Sequence, residues 1–124
     1  MNYNNLTWRH FESPASAGIL TGAAVRRGAG GNRAQGTWVQ FDVELAVRDA
    51  VLTVDAVRFL AYGCPHVIAV ADWVAQQAAG RPAQRVLPES VQALRARFAV
   101  PVEKLGRLLI VEDAWIAAVS SPSP

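Results

Sequence analysis

The sequence holds one cysteine, few charged residues and no long hydrophobic run, and each shortage excludes a class of protein. The single cysteine, Cys64, excludes an internal disulfide framework and any zinc site built from several cysteines of one chain. No apolar stretch reaches the roughly 18 residues that a membrane span needs, and residues 1–20 lack the apolar core of a signal peptide. We therefore expect a cytoplasmic protein with no membrane partner.

The excess of positive charge is too small to predict a nucleic-acid partner. Lys and Arg number 12 against 10 Asp and Glu, which gives a net charge of +2 at pH 7, whereas nucleic-acid-binding domains carry clustered basic residues. Hydrophobic residues make up 52% and charged residues 18% of the chain, a composition typical of a folded globular protein. A length of 124 residues predicts one domain, residues 1–124.

The hydrophobic pattern predicts that most strands precede most helices. After a short helix around Trp8 and Phe11, we expect a first strand near 19–25 and a flexible loop over the glycine-rich segment 26–36. The pattern over 37–62 predicts two strands joined by a tight polar turn. Apolar and polar side chains alternate over 37–47, and 51–62 is rich in β-branched and aromatic residues. The centre of the chain is thus predicted to be an antiparallel hairpin.

Three helices are predicted in the second half, where apolar residues recur at helical spacing. The first begins at Pro65 with Cys64 as its N-cap, and the second follows Pro88. The third runs from 102 to about 119, is apolar on nearly all sides and is expected to be the buried one. The tail 120–124 is predicted to be loose. Strands followed by helices indicate an α+β fold, with a small antiparallel sheet covered on one face.

Cys64 is the residue with the clearest chemical potential, because a predicted helix N-terminus favours a thiolate. His66 lies beside it in the sequence. A Cys/His hydrolase would need a second well-placed base, but His10 lies in the N-terminal segment and no nucleophile motif surrounds Cys64. The plainer interpretation is a small buried cysteine beside a surface histidine. We expect no enzyme activity.

Carboxylates and glycines elsewhere in the chain have ordinary explanations. Asp72 and the pair Glu112-Asp113 lie within predicted helices, where they can face solvent or pair with an arginine. The glycine-rich segment lacks the Lys-Ser/Thr ending of a phosphate-binding loop and leads into a strand. Neither feature predicts a site.

Three blocks of sequence resemble the U-type iron-sulfur cluster assembly scaffolds, the IscU and NifU N-terminal-domain type. The family's opening motif is matched by His10 to Pro14 with Gly18 and Leu20. Its Gly-Cys turn and the helix that follows are matched by 57–64 with Trp73-Val74. Its final helix is matched by Pro101, Lys104 and 112–114. The resemblance implies an α+β fold with a three-stranded antiparallel sheet and packed helices. It also implies a role in iron-sulfur cluster assembly.

Cys64 is the one family cluster ligand that this sequence retains. The positions that match the other ligands, which in the family are cysteine, aspartate, histidine and cysteine, hold Gln35, Thr37, Gly106 and Arg107. The chaperone-recognition segment corresponds to 100–104 and keeps one proline and the lysine. Clusters and tetrahedral metal sites need about four soft ligands. We therefore expect that one chain alone does not hold a cluster or a zinc ion tightly.

Two functions follow from this resemblance. In the first, the chain serves cluster assembly, with Cys64 as sulfur acceptor or as a ligand to iron or a cluster shared across a homodimer or with a small thiol. Its partner would then be a cysteine desulfurase or another assembly protein, and His66 and Lys104 would be accessory residues. In the second, the chain is a scaffold-shaped interaction module without metal chemistry. Because Arg107 stands where a ligand would stand, the resemblance also predicts a Cys64 pKa below the ordinary value of about 8.5.

Overall fold

The first element is a short helix, α1 (Asn5–Glu12), in a computed structural model that describes residues 3–121. Asn4 caps it, since its side-chain oxygen accepts a hydrogen bond of 2.9 Å from the backbone N–H of Thr7. The helix ends at Glu12, and its C-cap Ser13 directly precedes Pro14. The predicted N-terminal helix is therefore confirmed.

A three-stranded antiparallel sheet follows, in the order β1 (Val25–Asn32), β2 (Thr37–Arg48), β3 (Val51–Tyr62). β2 and β3 form the predicted hairpin. Its turn residues Asp49 and Ala50 have φ of +50° and +65°, the left-handed conformations that a two-residue hairpin turn uses to match the strand twist. The α+β fold class with its small antiparallel sheet is confirmed.

The helices α2 (Pro65–Ala78), α3 (Val91–Arg97) and α4 (Leu105–Ser120) complete the fold. α2 packs on β3 while α4 crosses β1 and β2, so one face of the sheet is covered. Contrary to the prediction, α2 is the more deeply buried: ten of its 14 residues are buried, against six of 16 in α4. Within residues 3–121, no helix has both the length and the apolar character needed to cross a membrane.

The prediction of a strand near 19–25 was wrong, and so was the prediction of a flexible loop over 26–36 for its residues 26–32, which form a strand. β1 begins at Val25 and pairs with β2 along its whole length, and a 3-10 turn occupies Arg33–Gln35. The glycines of β1 allow close packing instead of a loop, because a Cβ on Gly28 would overlap the backbone of α4 at Ala118. Of the predicted loose tail, Ser120 belongs to α4 and residues 122–124 lie outside the described residues.

A buried polar network fixes α1 and the chain after it to α2. Asp72 is fully buried, and its carboxylate pairs with Nδ1 of His10 at 2.7 Å. It also accepts hydrogen bonds from the Ser16 backbone N–H at 2.8 Å and from Nε2 of Gln76 at 3.0 Å. The sequence suggested that Asp72 faces solvent or pairs with an arginine. Both explanations are wrong, because Asp72 is buried and pairs with His10. His10 is therefore held in a structural network with Asp72 and takes no part in the surroundings of Cys64.

Candidate functional site around Cys64

Cys64 lies at the N-terminus of α2, where the chain leaves β3. Its backbone is extended, with φ −82° and ψ 168°, and Pro65 occupies the first helical position, so the predicted N-cap is confirmed. The side chain is half-buried. No side-chain hydrogen bond caps the helix while Cys64 is a thiol, which leaves the backbone N–H groups of the first turn available to a thiolate.

The surroundings of Cys64 hold its pKa below the ordinary value. Burial by itself raises the pKa of the thiol, because it disfavours the charged form. The backbone N–H groups of Val67 and His66 and the guanidinium of Arg107 oppose this, since all of them stabilise the thiolate, and the pKa is lowered overall. This is the direction that the resemblance predicts, and it places Arg107 against Cys64.

The segment that matches the first family cysteine also lies at this end of the sheet. Trp38 of β2 pairs with Tyr62 of β3, which places the start of β2 beside the end of β3. Gly36 and Gly63 line one shallow hollow of about 420 Å³. Three distant stretches of chain, around 35–37, 63–64 and 104–107, therefore surround the start of α2.

The four positions that the resemblance aligns with the family's other ligands differ in exposure. Gln35 is exposed in the 3-10 turn, and Thr37 is buried at 5% exposure. Gly106 is exposed, and a Cβ built on it would meet no atom within 4 Å. Arg107 is half-buried and interacts with Cys64, so of these four residues it is the one that lowers the pKa of Cys64.

His66 is buried, contrary to the interpretation of a surface histidine. It is 2% exposed, its ring lies 4.6 Å from that of Tyr3 in an edge-on contact, and its Nδ1 is buried with no hydrogen-bond partner among the described residues. Burial lowers the pKa of His66, and the charges of Lys104 and Arg107 lower it further. The imidazole is thus a neutral group with an unsatisfied nitrogen beside two cations.

The burial of His66 has only a weak signal in the sequence. His66 precedes Val70 by one helical turn, on the face of α2 that enters the core. Its ring contact with Tyr3 comes from the distant N-terminal segment and has no local signal.

The donor set does not fit an iron-sulfur cluster or a metal ion. Within residues 3–121, no three His, Cys, Asp or Glu side chains are gathered closely enough to hold a metal. The single thiolate faces Arg107, the neighbouring His66 lies within reach of the charges of Lys104 and Arg107, and cations repel a metal ion. What the arrangement can do is stabilise negative charge on and around the sulfur of Cys64.

Comparisons with known proteins agree with the fold. A search of the curated proteins finds no match. Three solved structures superpose over at least nine tenths of both chains. The first is a hypothetical protein with 15% identity and a TM-score of 0.67, and the match covers 93% of this chain and 94% of the other. The second is a protein of the thermophile Fervidobacterium islandicum AW-1 assigned as an iron-sulfur cluster assembly scaffold for the SUF system, with 12% identity, a TM-score of 0.65 and coverage of 94% and 96%. The third is the N-terminal part of a nitrogen-fixing NifU-like protein from Brucella abortus, with 19% identity, a TM-score of 0.65 and coverage of 94% and 91%.

The family assignment comes from the sequence match and agrees with these superpositions. The family described as NifU-like N terminal domain matches residues 2–121, nearly the whole chain. The three-stranded antiparallel sheet with helices on one face is the fold of the similar structures. The chain therefore belongs to the NifU-like N-terminal domain family.

Proposed function

We propose that the chain is an iron-sulfur cluster assembly protein in which Cys64 accepts sulfur and does not, within one chain, hold a cluster. The observation that carries this proposal is the contact between Arg107 and Cys64. A guanidinium stays charged at any usable pH and favours a thiolate, which is the nucleophilic form of cysteine. Family membership supplies the setting in which such a thiolate would receive sulfur.

The transfer requires no metal. The Cys64 thiolate attacks the outer sulfur of a donor persulfide, a new S–S bond forms, and the donor thiolate leaves with the electrons of the broken S–S bond. A cysteine desulfurase, which carries such a persulfide, is the proposed partner. The half-buried position of Cys64 leaves part of the side chain open to an incoming sulfur.

Iron or a cluster would enter this scheme only as cargo shared with other ligands. Cys64 supplies one thiolate, so a complete ligand set would need a second copy of the chain or small thiols. Cluster binding thus requires a homodimer or small thiols, whereas sulfur acceptance requires neither.

A second candidate function is an interaction module without sulfur or metal chemistry. It is favoured by apolar side chains that stay exposed on one face of β3 where this strand approaches Cys64, namely Leu60 at 37% and Tyr62 at 52% exposure. Exposed apolar side chains close together are typical of protein contacts.

The deciding experiment combines persulfide mapping with metal analysis. The chain is incubated anaerobically with a purified cysteine desulfurase and cysteine, and the peptide containing Cys64 is examined by mass spectrometry. We expect one added sulfur atom on Cys64 in the wild type, none in Cys64→Ser, and little iron, sulfide or zinc retained by the protomer after reconstitution. A folded wild type that takes up no sulfur would favour the interaction module. Metal content near one ion per chain that survives Cys64→Ser would contradict our placement of the ligands.

A further inference from the structure

The groups around Cys64 are those of an anion-binding site. Lys104 and Arg107 bring two positive charges to the N-terminus of α2, whose own dipole favours negative charge. None of the groups that shift the pKa of Cys64 or His66 is a carboxylate. The electrostatics are therefore suited to an anion that carries charge in addition to the thiolate.

His66 provides an independent indication of a ligand. Its Nδ1 is buried without a hydrogen-bond partner, and buried polar atoms in native proteins are almost always paired. The ring is 2% exposed and lies close enough to Lys104 and Arg107 to feel both charges. A neutral imidazole that is protonated on Nδ1 can donate a hydrogen bond to an oxyanion. A ligand oxygen beside these cations would satisfy the atom that the protein leaves unpaired.

We propose that this site binds a small anionic donor of sulfane sulfur, thiosulfate or an organic thiosulfonate, and transfers the outer sulfur of that donor to Cys64. The proposal rests on the proposed function, in which Cys64 accepts sulfur, and it names a substrate class for that site. The sulfonyl oxygens are held by Arg107, Lys104 and His66, which leaves the outer sulfur directed to the thiolate.

The reaction is balanced without an added oxidant. The thiolate of Cys64 attacks the outer sulfur of thiosulfate, the S–S bond of the donor breaks, and sulfite leaves with the bonding electron pair. Cys64 then carries a persulfide anion. Negative charge grows on the departing sulfite, and Arg107 and Lys104 stabilise that charge as it develops. Cyanide can attack the outer sulfur in turn, which releases thiocyanate and restores the thiolate.

The test measures thiocyanate formed from inorganic thiosulfate and cyanide, with the persulfide on Cys64 checked by mass spectrometry. Whereas the sequence alone predicts no enzyme activity, this proposal predicts turnover by the wild type and none by Cys64→Ser. Arg107→Met should raise the KM for thiosulfate by about tenfold or more, since a hydrogen bond to a charged group is lost, and Arg107→Lys should recover most of this loss. The control Arg85→Met removes an exposed arginine from the segment after α2, where Ala83 bonds to Leu52 at the start of β3, the opposite end of that strand from Cys64. It should change the KM by less than about twofold.

Further arms separate the sources of sulfur and the two proposals. Methanethiosulfonate replaces thiosulfate in one arm, and a cysteine desulfurase with cysteine replaces it in the other. A folded wild type that is loaded by the desulfurase but by neither anion overturns this inference and leaves the proposed function standing. A chain that none of the donors loads overturns both. Turnover that responds equally to Arg107→Met and Arg85→Met overturns the assignment of the site, and circular dichroism of each variant verifies that it is folded.

Discussion

At Cys64 the balance of neighbouring charges decides the chemistry more than the number of ligands does. Burial alone would favour the thiol, and the helix N-terminus and Arg107 reverse that preference. In the alignment that the resemblance implies, position 107 would share a metal ion with Cys64. In this chain Arg107 instead supplies a positive charge that favours the Cys64 thiolate.

The pKa of Cys64 should rise when Arg107 is replaced by alanine. Loss of the guanidinium removes both a hydrogen bond and a positive charge from the thiolate, while the burial that favours the thiol remains. The rate of alkylation by iodoacetamide, measured against pH, has its midpoint at the pKa of Cys64. We expect a wild-type midpoint below the value for a free cysteine peptide and a higher midpoint in Arg107→Ala, with Arg85→Ala unchanged. A wild-type midpoint above the peptide value would remove the case for a reactive sulfur acceptor.

His66 should make the protein less stable as the pH falls below about 6.5. Its pKa is lowered in the folded state by burial and by Lys104 and Arg107, so the unfolded chain takes up a proton more readily. The stability lost through His66 therefore grows between the ordinary pKa of 6.5 and the lower folded pKa, and is absent above that window. Urea unfolding of wild type and His66→Phe across this range checks the sign. Identical pH slopes for the two proteins would contradict it.

The sequence predicts Cys64 and Arg107 better than it predicts His66. The first two lie in motifs with fixed spacing, one after β3 and one at the start of α4, so a resemblance places them once the strands and helices are aligned. The environment of His66 depends on Tyr3 and Lys104, which come from opposite ends of the chain. Burial and missing partners are properties of the packed protein, and local sequence carries little information about them.

At the scale of elements, the contact between β1 and α4 is the least expected feature of the fold. The glycines of β1 let the backbone of α4 lie in direct contact with the backbone of the strand. A Cβ on Gly28 would overlap Ala118, and a Cβ on Gly30 would lie 2.8 Å from the carbonyl oxygen of Ile110. Local propensity favours a loop for such a segment. The strand forms because β2 pairs with it and α4 covers it.

Replacement of Gly28 by alanine should destabilise the protein by about 2 to 4 kcal/mol, because the added methyl group forces α4 away from the sheet. Gly106→Ala is the matched control, since it adds the same methyl group to a helical residue that faces open space. It should stabilise by about 0.5 to 1 kcal/mol. Urea unfolding monitored by tryptophan fluorescence gives both values. Equal effects of the two substitutions would show that α4 does not press on β1.

β2, β3 and α2 could be predicted because each has its own pattern. β2 alternates apolar and polar residues, and α2 begins with Pro65 and repeats apolar residues at helical spacing. β1 has neither signal, since its burial is provided by other elements. The error over 26–32 thus arose in a strand that is held by its pairing with β2 and its contact with α4.

At the scale of the whole molecule, the fold gathers its site from three separate stretches of chain. The register of β2 against β3 places 35–37 beside 63–64, and the packing of α4 across the sheet brings 104–107 to the same end. Identities of 12 to 19% accompany TM-scores of 0.65 to 0.67 with the similar structures. The fold is therefore retained at low sequence identity.

Because the fold is retained, we expect four substitutions to produce a metal site around Cys64. They are Gln35→Cys, Thr37→Asp, Gly106→His and Arg107→Cys. Positions 35 and 106 have room for a ligand, removal of Arg107 eliminates the cation that opposes a metal, and metal coordination would compensate for burying a carboxylate at position 37. We expect the variant to bind one zinc ion per chain, at least about a thousandfold more tightly than the wild type, in a competition titration against a chelator. The same four substitutions with Cys64→Ser form the control and should lose most of the gain. A variant that folds normally and binds zinc no better than the wild type would mean that 35–37 and 106–107 do not meet at Cys64 with the geometry of a ligand set.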